Sequence, residues 1–104
     1  MSDRELLELA AKAAGIDAHV TEWSSTVEDD EGDYLKPWNP LTDDGDALRL
    51  AVKLGLLIDT HGLSSRVALP YQSDWTIEKH GTDPLAATRR AIVRAAAEIG
   101  RDMK

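Results

Sequence analysis

Residues 38–55, WNPLTDDGDALRLAVKLG, restrict the fold more than any other stretch of this chain. Lys36-Pro37 and Asn39-Pro40 bracket Trp38. Proline fixes its own φ and drives the preceding residue out of the helical region, so Trp38 is held on a stiff, extended turn. Thr42 or Asp43 is then placed to cap a helix by accepting a hydrogen bond from an orphan backbone N–H. Asp43, Asp44 and Asp46 stand where the positive end of the helix dipole favours negative charge. Ala47, Leu48, Ala51, Val52 and Leu54 supply an apolar stripe at helical spacing, and Arg49 and Lys53 share another face. Gly55 is the expected stop. The ordinary role of the three acids is capping. A calcium loop of the EF-hand type needs alternating oxygen ligands, a central glycine and a closing glutamate, and that spacing is missing.

The flanking segments follow from the same rules. Ser2 and Glu5 make a capping box that opens a helix through Leu6, Leu7, Leu9, Ala10, Ala13 and Ala14 to Gly15. Residues 16–23 alternate, with Ile16, Ala18 and Val20 on one side and Asp17, His19 and Thr21 on the other, which predicts a half-buried strand. Residues 24–36 hold Glu28, Asp29, Asp30, Glu31 and Asp33 with almost nothing apolar, and this predicts a mobile acidic loop. Runs at 56–61, 66–71 and 75–80, separated by turn-forming residues, predict an antiparallel meander. Thr82 or Asp83 caps a last helix with Pro84 at its first position. Leu85, Thr88, Ile92, Ala95, Ala96 and Ile99 form its inward stripe, and Gly100 ends it. The expected fold is α+β, one domain over residues 1–104. Three helices lie on a four-stranded, largely antiparallel sheet in the order α-β-α-β-β-β-α.

At 104 residues the chain is large enough to bury roughly two-thirds of its unfolded surface without cross-links. It contains no cysteine, which removes disulfides, thiolate catalysis and cysteine zinc sites. No apolar run approaches the ~20 residues that span a bilayer and no signal-peptide pattern opens the chain, so a cytosolic protein without membrane attachment is expected. Residues 1–46 hold 13 acids against 3 bases, whereas residues 47–104 hold 6 against 9, within a net charge of −7. Dense basic charge is what coats nucleic acid, so nucleic acid is not expected as a general partner. A local basic patch in the second half stays open.

The 38–55 stretch, together with DPLAATRRAIVRAAAEIG over residues 83–100, resembles a family of small bacteriophage-encoded proteins, the phage ABA sandwich domain. Trp38, Pro40, Asp43 and Asp46 match its opening turn, and Ala91-Ile92 with Ala95-Ala96 match its closing helix. The resemblance implies an α/β/α layered fold, a phage or prophage accessory protein of uncharacterised role in the bacterial host cytoplasm, and no catalytic residues or cofactor to carry over. Strand alternation, by contrast, implies one wet sheet face and two layers.

Four sets of residues carry the functional readings. Tyr34, Trp38, Asp43 and Asp46, with Trp23 and the acidic loop, are the candidate surface for a protein partner, since aromatics on a rigid turn make good anchors. A lone tryptophan beside prolines more commonly covers a helix end. The acidic loop has a second reading as a mimic of DNA phosphates. Arg90, Arg94 and Arg101, with Arg89 beside them, could bind phosphate or an acidic partner; their ordinary role is solubility and helix-end electrostatics. His19, His61 and His80 each follow an acid by two residues (Asp17, Asp59 and Glu78), which would suit a transition-metal site only if those strands were neighbours. Serine-elbow, phosphate-loop and dinucleotide motifs are missing. The expectation is therefore a non-enzymatic protein-interaction module with an unknown partner, and self-assembly is left open.

Overall fold

The computed structural model describes residues 2–21, 24–28, 35–70 and 74–103. All three helices begin where a side chain caps them. Ser2 Oγ accepts the Glu5 N–H at 3.2 Å and starts α1 (Asp3–Ala14). Asp43 accepts the Asp46 N–H at 2.8 Å and starts α2 (Asp44–Leu54). Asp83 accepts the Ala86 N–H at 3.0 Å and starts α3 (Pro84–Asp102), with Pro84 in its first turn, where no intrahelical donor is needed. Gly15 and Gly55 end α1 and α2 at φ 70° and 66°, a conformation that costs any other residue steric strain.

Among the described residues six short strands form two sheets, not one. The first is the antiparallel meander β1 (Ala18–Val20), β2 (Ser25–Glu28), β3 (Leu35–Pro37). The second is the antiparallel meander β4 (Leu57–His61), β5 (Ser64–Ala68), β6 (Trp75–Lys79). This corrects the expected four-stranded sheet: the order is α-βββ-α-βββ-α, and Ser25–Glu28 and Leu35–Pro37 are paired strands where an acidic loop was expected. Residues 29–34 of that loop lie outside the described residues.

The axis of the molecule is α3. It packs against α1 and α2 and also lies over β5 and β6. Consequently Ala87, Ala91, Ile92, Val93, Ala95, Ala96, Ala97 and Gly100 are all buried, on more of the circumference than one stripe. Small side chains are what allow such close approach from two sides. Gly100 lies inside the helix against the Leu9 backbone and does not end it. The expected inward Leu85 is exposed, and in α2 the buried leucine is Leu50, while Leu48 and Val52 face outward.

The helices run in the same direction. At their starts Arg90 of α3 meets Asp3 of α1 and Arg89 meets Asp44 of α2; near their ends Lys12 Nζ donates to the Met103 carbonyl at 2.9 Å. Three antiparallel strands return the chain to the end from which the preceding helix set out, so each meander is the connection that parallel helices need. On the second sheet Ser65, Val67 and Glu78 face α3, whereas Leu57, Asp59, Arg66, Trp75 and Ile77 are on the opposite side. Leu57 is 58% exposed and Ile77 56%, so that side is open. Among the described residues no helix covers that side of the second sheet, so the helices on both faces that an α/β/α sandwich requires are not found there. Among the described residues no helix is long and apolar enough to cross a membrane.

Candidate functional site

The stiff turn of residues 37–40 joins the first sheet to α2, and its hydrogen bonds explain its shape. Trp38 donates its backbone N–H to the Ser25 carbonyl at 2.9 Å, which ties the turn to β2. Asn39 Oδ1 accepts the Leu41 N–H at 3.0 Å, and the Asn39 carbonyl accepts the Asp43 N–H at 2.8 Å. Asp46 works in two directions: Oδ2 accepts the Asn39 N–H at 2.9 Å and Oδ1 accepts from Arg49 Nη2 at 2.7 Å. Its side chain is 13% exposed, so most of its acceptor capacity serves the fold. Asp43 has one oxygen on the Asp46 N–H and lies 3.9 Å from Arg49 Nη2.

Between β2, β3 and α2 this turn leaves a groove of about 780 Å³. Ile16, Val27, Pro37, Trp38 and Leu50 give it apolar lining, and Glu28, Lys36, Asp43, Asp46, Arg49 and Lys53 surround these with both signs of charge. The sequence-predicted Trp38, Asp43 and Asp46 thus meet in one place. The role expected of Trp38 changes, however. At 6% exposure it is part of the core that supports the groove, not a projecting anchor. Tyr34 and Trp23 lie outside the described residues. Lys36, Arg49 and Lys53 were missed as site residues, because helical periodicity assigns the last two to a solvated face and cannot show that β3 stands opposite.

The arginine face is real but occupied. Arg90 Nη2 lies 3.1 Å from Asp3 Oδ1, Arg94 pairs with Glu78, and Arg101 Nη1 lies 3.4 Å from Glu98 Oε1. Arg89 bridges Asp44 at 2.6 Å and the Leu41 carbonyl at 2.8 Å. Arg90, Arg94 and Arg101 share a cleft of about 400 Å³ with Glu78 and Glu98. Carboxylates therefore stand wherever a phosphate would have to enter.

The histidines do not converge. His19 is on the first sheet, while His61 and His80 belong to the second and point to opposite sides of it. His61 Nε2 is 3.9 Å from Asp59 Oδ2 on the open face. His80 Nε2 is 2.8 Å from Ser65 Oγ on the α3 side, and Ser65 Oγ is 2.6 Å from Thr88 Oγ1. Among the described residues no three His, Asp or Glu side chains are grouped to hold a metal ion. The Ser65–His80 contact has the residue types of a nucleophile and its base. Yet Ser65 is 0% exposed and already pairs with Thr88, so this arrangement joins the sheet to α3 and presents no hydroxyl to a substrate.

Fold and groove together define a small α+β domain with an open, mixed-charge groove between a meander and a helix. Comparison with protein-family models, with curated proteins and with solved structures finds no match for the chain.

Proposed function

We propose that the chain is a non-enzymatic protein-interaction module whose groove between β2, β3 and α2 holds an extended segment of a partner protein. The observation that carries this reading is the coincidence of an apolar floor with a charged rim in one groove on a rigid support. Such a site can bury one or two apolar side chains, while Lys36, Arg49 and Lys53 meet acids and Glu28 and Asp43 meet bases beside them. Rigid support matters because it lowers the ordering cost of binding. A phage or prophage accessory role, in a bacterial host cytoplasm, extends this reading. It rests on the sequence resemblance of residues 38–55 and 83–100. Nucleic-acid binding through α3 is less well supported, since Arg90, Arg94 and Arg101 are each paired with a carboxylate.

The test is selection of binders from a displayed random peptide library on the immobilised chain, followed by amide chemical-shift mapping of the enriched peptides. Shifts centred on Val27, Lys36, Leu50 and Lys53, with binding weakened about tenfold by Lys53→Glu, are the expected result. Peptides that map to the open side of the second sheet, or bind Lys53→Glu unchanged, would overturn the assignment.

A further inference from the structure

An outer strand of a sheet presents a row of unpaired N–H and C=O groups, and proteins usually blunt it with lysine, proline, a bulge or very short length. Three of the four outer strands among the described residues are blunted in this way. β1 has three residues; β3 has three, including Lys36 and Pro37; β6 ends in Lys79. The fourth, β4, has none of these devices. It is five residues of regular ladder, Leu57-Ile58-Asp59-Thr60-His61, without lysine or proline. It also lies beyond the cover of α3, which packs over β5 and β6, and Ile58 is 41% exposed on the side nearer the helices. Asp59 could repel a neighbour, but Arg66 Nη2 neutralises it at 2.7 Å. The guanidinium of Arg66 in turn lies 4.4 Å from the centre of the Trp75 ring, which fixes its position.

We propose that a second copy of the chain adds antiparallel to β4, with Thr60 on the two-fold axis, so that the two meanders become one six-stranded sheet. The register follows from hydrogen-bond parity and charge. His61 and Ser64 flank the two-residue turn Gly62-Leu63, which makes them a hydrogen-bonded pair. Leu57, Asp59 and His61 then direct their backbone groups toward β5, and Ile58 and Thr60 direct theirs outward. A two-fold partner must therefore bring together outward residues: Ile58 with Ile58, Ile58 with Thr60, or Thr60 with Thr60. The first sets the Asp59 carboxylate against Leu57 of the second copy. The second sets it against another Asp59, and two carboxylates have no hydrogen to donate to each other. The third sets it opposite His61 of the second copy, twice by symmetry, where an imidazole N–H can donate to it. That register also places threonine against threonine on the axis, a favourable cross-strand pair. On the open face it makes a continuous row of Ile77, Arg66 and Asp59, then His61, Ser64 and Lys79 of the second copy. The contact is isologous and closes on itself, so it stops at two copies. It uses no residue of the groove.

The chain has no cysteine, so a single introduced thiol reports the register directly. Directly opposed residues in a hydrogen-bonded antiparallel pair have Cα atoms about 5.5 Å apart, inside the disulfide range of about 4.4–6.8 Å. In the proposed register the two positions 58 are offset by four residues, roughly 13 Å along the strands. Mild oxidation should convert Thr60→Cys to a covalent dimer and leave Ile58→Cys monomeric. Light scattering on the unaltered chain should give twice the monomer mass at high concentration. Thr60→Lys, which sets two ammonium groups face to face on the axis, should weaken that dimer by roughly tenfold or more with unchanged far-ultraviolet circular dichroism. Three results would each overturn the proposal. They are an unaltered chain that stays monomeric at every reachable concentration, cross-linking of Ile58→Cys as readily as Thr60→Cys, and a folded Thr60→Lys that dimerises as well as the parent. If Thr60→Lys fails to fold, the two cysteine variants decide the matter alone.

Discussion

Gly100 has no room for a side chain. A Cβ at this position would lie 2.0 Å from the Leu9 carbonyl oxygen and 2.8 Å from its carbon, both backbone atoms of α1 that cannot swing aside. In an exposed helix Gly→Ala stabilises by about 1 kcal/mol through backbone entropy. Here α1 would have to move bodily away from α3. Gly100→Ala should therefore destabilise the protein by about 2 kcal/mol or more, since overpacking of a rigid contact outweighs the helix-propensity gain. Urea denaturation measures it, and a neutral or stabilising result would mean that α1 does not sit against α3 at this point. The same residue shows why sequence alone misplaces it. A glycine followed by Arg101, Asp102, Met103 and Lys104 has the composition of a helix end, and only the position of Leu9 reveals a crossing point.

At the scale of elements, the start of α2 separates acids that look equivalent in sequence. Asp46 accepts the Asn39 N–H and fixes the turn that carries Trp38; Asp43 caps the helix; Asp44 makes an exposed pair with Arg89. Removing a part-buried acceptor leaves an unsatisfied donor, whereas an exposed ion pair contributes about 0–1 kcal/mol. Asp46→Ala should cost about 2 kcal/mol, Asp43→Ala about 1 and Asp44→Ala about 0.5 or less. Equal effects from Asp44→Ala and Asp46→Ala in urea denaturation would refute the ranking. All three helix starts were legible in the sequence because capping is local: a short polar side chain and the N–H it accepts lie within three residues. The second meander was legible in outline for the same reason, as turn residues punctuate its runs. Its middle strand, however, is Ser64–Ala68 and not residues 66–71: Ser64 and Ser65 have turn composition, yet only Gly62-Leu63 makes the turn. Ser25–Glu28 and Leu35–Pro37 were not legible, because strands of four and three residues are too short to show a period among acids. Their pairing depends on partners that only the fold supplies. The groove was half legible. Trp38, Asp43 and Asp46 are local to the turn, but Lys36 and Lys53 become neighbours only when β3 lies beside α2.

For the whole molecule, charge distribution and architecture are one problem. The acid-rich first part and the base-rich second part would repel within themselves and attract each other, and α3 is where they meet. Arg89 reaches Asp44 of α2, Arg90 reaches Asp3 of α1 and Arg94 reaches Glu78 of β6, so one helix draws acids from three neighbouring elements. Each pair is at least partly exposed and individually weak. Their larger consequence is for recognition. A phosphate backbone approaching the Arg90–Arg94–Arg101 cleft meets Glu78 and Glu98 within it and a net charge of −7 around it. The chain should therefore cause no mobility shift of duplex DNA or single-stranded RNA at low ionic strength. Glu78→Gln with Glu98→Gln leaves the arginines in place and removes two of the carboxylates beside them. If local pairing is what silences the cleft, this variant should gain weak binding that disappears with added salt, with a logarithmic slope of about −1 to −2 for one or two phosphates engaged. If net charge is what silences it, the variant stays silent as well, because a charge of about −5 still repels a polyanion. Binding by the unaltered chain, with a steep salt dependence, would contradict both accounts and return the arginine face to the centre of the function.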